Sequence, residues 1–429
     1  MATLIQDALD GLKGLGTVRE LALSAKEGGG EAICPRVNSH IHLPPNFSAF
    51  ETVAQAVALA SEQKVGVVGV SNYYDFDVYG EFVSLAKRHG IFPLFGLEII
   101  ALIDELVKAG VKINDPGNPG KMYICGKGIT KFGEMSEQAK SIMTTIRTND
   151  SQRMAKMIGL LAEIFKSAGV DTGLDEDAVK EMIVRRHKCS KNIVYIQERH
   201  VAQAFQEAFF RLVPMEQRAA KLGEIFGGEC KCDAQNAVKV QNEIRSNLMK
   251  AGKRGFVQEM FVDFDQAYRL ILELGGVPCY PTLADGVLPM CGFEEPVEKL
   301  IENVKSRNIY CLEFIPGRNT PEVLSRYVKA IREAGLVVLG GTEHNSLDLI
   351  PIEPACVKGA AVPEEIKEIF REGACVMAAH QFLTLHGEVG FVDASGEPNG
   401  KYTTAEERIS AFKALGAAVI GMYGREDGA

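Results

Sequence analysis

Two histidines two residues apart, His40 and His42 in "RVNSHIHLPP", have the type and spacing to chelate a metal ion. Residues 32–42 read as a short strand that stops at Pro44 and Pro45, because proline donates no ladder hydrogen bond. Side chains alternate faces along a strand, so residues two apart point the same way. Both imidazoles then share one side of a strand end. Two polar histidines in a turn would leave the same trace, and the rest of the chain has to decide between these readings.

The elements that must position this pair repeat along the chain. Apolar runs at 65–74, 91–100 and 122–128 follow or precede amphipathic helical segments, and the pattern returns at 276–284, 308–316 and 336–344. Strand–helix alternation with β-branched strands predicts a parallel sheet covered by helices. Six or seven such units favour a closed barrel over an open sheet. Residues 131–256 break the rhythm and read as consecutive helices at 134–148, 151–168, 175–187, 196–212, 216–226 and 233–251. The expected organisation is an N-terminal helix and a glycine-rich joint over 1–31 and a first barrel part over 32–130. A helical insertion capping the barrel mouth follows over 131–256, then a second barrel part over 257–350 and a helical extension over 351–429.

Bulk properties exclude several classes. With 429 residues, 46% hydrophobic and 24% charged, the chain is an ordinary globular protein with room for more than one domain. Its net charge of −9 comes with interspersed acids and bases, and no basic arm or stripe points to a nucleic acid polymer. The ten cysteines are dispersed and several lie in apolar runs, the pattern of buried thiols. Cys230 and Cys232 form an isolated C-x-C, read as a loop feature in preference to a zinc knuckle. No apolar run approaches the ~20 residues that span a bilayer, and no basic segment precedes an apolar one at the N-terminus. A cytoplasmic protein without a membrane partner is expected.

In barrels of parallel strands, chemistry gathers at the C-terminal strand ends. Those positions carry His40 and His42, then Ser71, Asn72, Tyr73, Tyr74 and Asp75, then Glu98, then Cys125 and Lys127. Later strands add Tyr280, then Glu313 and Arg318, then Glu343, His344 and Asn345. Buried carboxylates and imidazoles are costly together unless a cation neutralises them, and a divalent ion does so most simply. Arg318, in "PGRN" just past a strand, is a candidate anion clamp because its planar fork pairs two oxygens. His380 and His386 read as polar faces of C-terminal helices, His89 as a helix end, and His187 in "RRHK" as solvated basic surface.

This order of motifs resembles the polymerase-and-histidinol-phosphatase (PHP) superfamily: H-x-H after the first strand, "GLE" after the third, and an acid–His tail, "TEHN", after the last. The resemblance spans roughly residues 33–350 and implies a distorted seven-stranded (β/α)7 TIM-like barrel with a multinuclear metal site, in a family most of whose members hydrolyse phosphate esters. "QERHVAQAF" at 197–205 resembles the R-x-H-x-A segment in helical insertions of nucleotide-phosphatase members, which implies phosphate contacts for Arg199 and His200. The departures are equally specific. The Asp–His pair expected after the second strand is "SNYYDF" here, and the histidine expected after the fourth falls near Cys125. The family's "AHP" is "CYP", so Tyr280 replaces a ligand. In "TEHN", Glu343 matches the family's Asp while Asn345 takes the place of its His.

What survives, His40, His42, Glu98 and Glu343, matches the residues that surround one metal in the family. The resemblance therefore implies a reduced site holding one divalent ion, Zn, Mn or Fe. His344 and Glu343 are the expected catalytic groups, with His344 a ligand or general base. Tyr73, Tyr280, Lys127, Arg318, Arg199 and His200 are expected to bind a small anionic substrate. The expected activity is a metal-dependent phosphoesterase. Two alternatives remain: a barrel that has lost turnover and binds a small ligand or partner, and a mononuclear amidohydrolase-like enzyme.

Overall fold

The computed structural model describes residues 2–26 and 35–424. Eight strands form one sheet: β1 (Arg36–Ile41), β2 (Val65–Val70), β3 (Phe92–Leu102), β4 (Lys121–Lys127), β5 (Val262–Asp263), β6 (Val277–Thr282), β7 (Cys311–Phe314) and β8 (Val337–Gly340). Their order is β1-β2-β3-β4-β6-β7-β8, with the short β5 added beside β3. Ile41 bridges Glu343 in parallel, so the seven-stranded path nearly closes on itself as a barrel. The expected α/β barrel with surrounding helices and a helical C-terminal part is what the chain adopts.

One feature of the sheet differs from expectation. β4 runs antiparallel to both β3 and β6. Antiparallel neighbours need no crossover helix, and residues 103–120 contain only the five-residue helix Asp104–Lys108 before the chain turns back. Ile103 N–H donates to Gly120 O at 2.8 Å, extending the pairing into the turn. An apolar run reveals a strand but not its direction. The consequence is that Lys127 pairs with Gly96 and Val277, while Cys125 lies beside Glu98 and Cys279.

Helices on the barrel form where the pattern and caps agree. Val53–Glu62 starts at Thr52, whose side chain accepts from Gln55 N–H, and it buries Val53, Ala56, Val57 and Ala60. Phe264–Glu273 opens with a capping box between Asp263 and Gln266 and buries Ala267, Leu270, Ile271 and Leu272. The tail supplies Glu364–Leu385 and Ala405–Tyr423. These two pack so closely that a Cβ on Gly416 would lie 1.8 Å from Cys375 O. Gln381 of the first tail helix accepts from Phe95 N–H at 3.0 Å and donates to Pro93 O at 3.1 Å, which fixes β3.

Other details also depart from the sequence reading. The N-terminal region holds two helices, Ala2–Lys13 and Val18–Lys26, rather than one. The joint at 27–31, the start of the first strand run at 32–34, and Cys34 lie outside the described residues. The helices read at 134–148 and 151–168 are one, Glu137–Ser167, because the intervening "ND" stays helical. His380 is not on a polar helix face. It is buried, its Nδ1 accepts from Phe391 N–H at 2.9 Å, and its Nε2 donates to Gly275 O at 2.9 Å. No helix among the described residues is long and apolar enough to cross a membrane.

The chain divides into two compact units. The first comprises 1–43, 52–143 and 262–429 and contains the barrel; the second comprises 44–51 and 144–261. The second unit has its own apolar core, including Leu161, Phe165, Phe205, Phe209 and Ile244. Arg153 anchors it internally, pairing with Glu198 and, at 3.3 Å, with Glu259.

Candidate metal centre

β1 delivers the two histidines as the alternation requires. Its last residues are clamped on both sides: Ser71 N–H donates to Ile41 O at 2.9 Å, and Glu343 N–H donates to His40 O at 2.8 Å. Asn72 then holds the next residue through both its amide groups, accepting from Leu43 N–H at 2.8 Å and donating to Leu43 O at 3.0 Å. A close approach makes room for the first imidazole: a Cβ on Gly341 would lie 2.5 Å from His40 Cβ. Both histidines are buried.

The ring atoms converge with a carboxylate. His40 Nε2 lies 3.3 Å from His42 Nε2. Glu98 Oε2 lies 3.2 Å from His42 Nε2 and 3.8 Å from His40 Nε2. An ion with bonds of about 2.0–2.1 Å in tetrahedral or octahedral geometry places neighbouring donors about 2.9–3.4 Å apart. Glu98 Oε2 is buried and receives no hydrogen bond among the described residues, an otherwise costly state for a carboxylate oxygen. Burial holds the pKa of His42 below its usual value, partly opposed by Glu98, and a neutral imidazole is the form that binds metal. Two of the three spacings fall in the range for one ion, and the third, His40 Nε2 to Glu98 Oε2 at 3.8 Å, is wider. The three donors still gather around one point, as a divalent ion requires.

Glu313 of β7 completes the support. Its Oε1 lies 2.8 Å from His40 Nδ1, so His40 donates from Nδ1 and keeps its Nε2 lone pair for the converging group. Its Oε2 lies 2.6 Å from Lys127 Nζ. Burial works to raise the Glu313 carboxyl, but His40 and Lys127 outweigh it and hold the group well below the usual carboxylate range. Lys127 was expected to bind substrate. Because β4 is antiparallel, Lys127 instead projects into the barrel and donates to Ser39 O at 3.2 Å and Ser71 Oγ at 3.0 Å. Burial alone would lower its pKa, and Glu313 reverses the direction.

At the outer edge, Arg318 pairs with Glu343. Asn345 also donates to Glu343, at 2.6 Å. Burial favours the protonated carboxyl, but Arg318 and the two histidines hold Glu343 below its usual value. Glu343 therefore lies beside the His40–His42–Glu98 group as an arginine partner, not within it. Glu343 and His344 both have positive φ, 61° and 51°. Such residues cost on the order of 1–3 kcal/mol each and gather at functional sites. Arg318 keeps 38% of its side chain exposed. Tyr73 stacks on His42, with ring centroids 5.1 Å apart.

Other expected site residues have their own local partners. His344 has both nitrogens engaged: Nδ1 accepts from Thr342 Oγ1 at 2.7 Å and Nε2 donates to Ile350 O at 3.0 Å. This leaves it neither a ligand nor a general base, and burial lowers its pKa against the Ile350 bond. Tyr280 sits on the opposite strand face from Cys279 and donates to Glu294 at 2.8 Å, away from the histidines. Arg199 and His200 belong to the second unit. His200 is buried at the start of helix Glu198–Leu212, where its Nδ1 accepts from Gln197 N–H at 3.1 Å. Burial, with His187 and Arg186, lowers its pKa to about 3, so it carries no positive charge near neutrality. Arg199 lies over the Phe47 ring at 5.9 Å. His187 does not face bulk water alone: its Nδ1 donates to Glu51 O at 2.9 Å. Glu313 stands among the strand-end residues with no expected role of its own, although a carboxylate inside "IYCLEF" already demands a buried counter-charge.

No family model matches the chain, and no curated protein matches it. Solved structures share the fold. A presumed metal-dependent phosphoesterase from Bifidobacterium adolescentis aligns with a TM-score of 0.52 and 15% identity, over 77% of this chain and 94% of its own. An amidohydrolase from Chromobacterium violaceum, solved with bound sulfate and no metal, aligns with a TM-score of 0.51 and 15% identity, over 78% and 96%.

Proposed function

We propose that this chain is a metal-dependent hydrolase, PHP-like in its reduced site, that acts on a small anionic substrate. The observation that carries the reading is the convergence of His40 Nε2, His42 Nε2 and Glu98 Oε2 around one point, as the ligands of one ion. A bound divalent ion there supplies Lewis acidity toward a phosphoryl or carbonyl oxygen. The two structural neighbours, a presumed metal-dependent phosphoesterase and an amidohydrolase, support hydrolysis as the general class.

The charges favour an anionic substrate. Lys127 offsets Glu313 and Arg318 offsets Glu343, so Glu98 is the one uncompensated charge of the group. With a divalent ion, the local balance becomes positive by one. Arg318 binds the anion with guanidinium N–H groups not spent on Glu343, and Glu343 with Asn345 holds that guanidinium in place. Tyr73 walls one side of His42. Glu313 keeps the His40 proton on Nδ1.

A phosphate ester is the reading these cations favour. Amide or lactone hydrolysis is the second reading, supported by the small ligand set and the amidohydrolase relative. A panel of phosphate monoesters, diesters, amides and lactones, assayed on protein reconstituted with Zn, Mn or Fe, tests the proposal. Metal-dependent release of phosphate is expected. Amide or lactone turnover alone supports the second reading, and bound metal without turnover on any of them supports a ligand-binding barrel.

A further inference from the structure

Besides the three ligands, a second group converges in the barrel: His40, Cys125 and Glu313 offer ligand atoms within 4.8 Å of one another. All three are buried. A cation already lies against them. Lys127 Nζ is 2.6 Å from Glu313 Oε2 and 3.4 Å from His40 Nδ1, and its charge acts on Cys125. Its remaining contacts, Ser39 O and Ser71 Oγ, fix it in that position. Cys279 lies opposite Cys125 across β4 and β6, and its thiol also feels Glu313 and Lys127.

We infer that Lys127 is a built-in cation that takes the place of a second metal ion and limits the site to one. The inference rests on the proposed metal site and assigns Lys127 a positioning role within it. Glu313 needs a buried positive partner. An ammonium on β4 meets that need permanently, with no requirement for a second ion. It also leaves His40 with its Nδ1 proton on Glu313 and its Nε2 for the first ion. Removing Lys127 leaves the buried Glu313 carboxylate and the Cys125 thiol, with Cys279 opposite it, around a vacated volume, a donor set suited to a soft divalent ion.

The test is metal stoichiometry by titration with Co2+ and Zn2+, with Co2+ absorbance reporting a thiolate ligand. The wild type is expected to bind one equivalent without a thiolate-to-cobalt charge-transfer band. Lys127→Ala is expected to bind two equivalents with that band, and Lys127→Ala combined with Cys125→Ser to lose the band and the second ion. Lys127→Gln, which keeps a donor toward Ser39 and Ser71, is measured beside it. A variant that folds only with two equivalents supplied also supports the inference. One equivalent in both wild type and variants overturns it and leaves the proposed function standing, as does a wild type binding two. Variants that fold at no metal concentration also overturn it. A wild type that binds no ion removes the metal reading itself.

Discussion

Glu313 Oε1 and His40 Nδ1 are 2.8 Å apart, and this contact decides which nitrogen of His40 faces His42 and Glu98. Glu313→Gln keeps the shape but leaves Lys127 without its buried counter-charge. Breaking such a pair costs about 3–5 kcal/mol. Loss of an orienting carboxylate lowers metal affinity about 10–100-fold. Denaturant unfolding and Zn2+ competition titration check both figures. Adding Lys127→Met to Glu313→Gln is expected to recover part of the stability, because the lone cation is gone.

Gly341 gives His40 its space. Gly341→Ala places a methyl 2.5 Å from His40 Cβ, so β1 or β8 must shift. The expected cost is about 1–3 kcal/mol, typical of overpacking. A drop in metal affinity should accompany it, out of proportion to the loss of stability. Gly359→Ala, with no atom near its Cβ direction but a positive φ, is a control for strain alone. An unchanged metal affinity in Gly341→Ala would mean that His40 tolerates displacement.

Arg318 should set anion affinity. Arg318→Ala is expected to weaken inhibition by inorganic phosphate about 10-fold or more, the scale of a hydrogen bond to a charged group. Arg318→Lys should recover little, because an ammonium lacks the planar fork. Inhibition constants measured at fixed ionic strength decide the matter. Equal inhibition of all three proteins would remove Arg318 from the anion site.

Glu294 links stability to pH. It is buried and accepts from Tyr280 Oη at 2.8 Å, Leu283 N–H at 3.0 Å and Ala284 N–H at 2.7 Å. Burial outweighs these bonds and raises its pKa from 4.5 to about 7. The folded state therefore holds this proton more tightly than the unfolded state. Its contribution is fully present below pH ~4.5, falls as pH rises toward ~7, and levels off above, a span on the order of 3 kcal/mol. Glu294→Gln removes that part of the pH dependence. Parallel curves for both proteins between pH 4.5 and 7.5 would refute the assignment.

The sequence shows the histidine pair, the strand run that carries Glu98, the place of Glu343 just past the last strand, and the barrel class, because each depends on short-range alternation. Glu98 lies in the middle of β3 rather than at its end. It does not show the direction of β4, since an apolar run reads the same both ways, and so Lys127 is misread as a substrate contact. It does not show that His344 is absorbed by Thr342 and Ile350, because those bonds depend on a loop with two left-handed residues. The resemblance-based places of Tyr280 and Glu343 depend on an alignment in which one residue of shift turns a side chain to the other strand face.

The most direct test of the central claim is metal content by mass spectrometry on protein purified without chelator and on protein stripped and reconstituted. Wild type is expected to hold one divalent ion per chain, with occupancy falling sharply in His42→Ala and Glu98→Gln and unchanged in Tyr280→Phe. A wild type that stays metal-free after reconstitution, or occupancy indifferent to His42 and Glu98, would contradict the account.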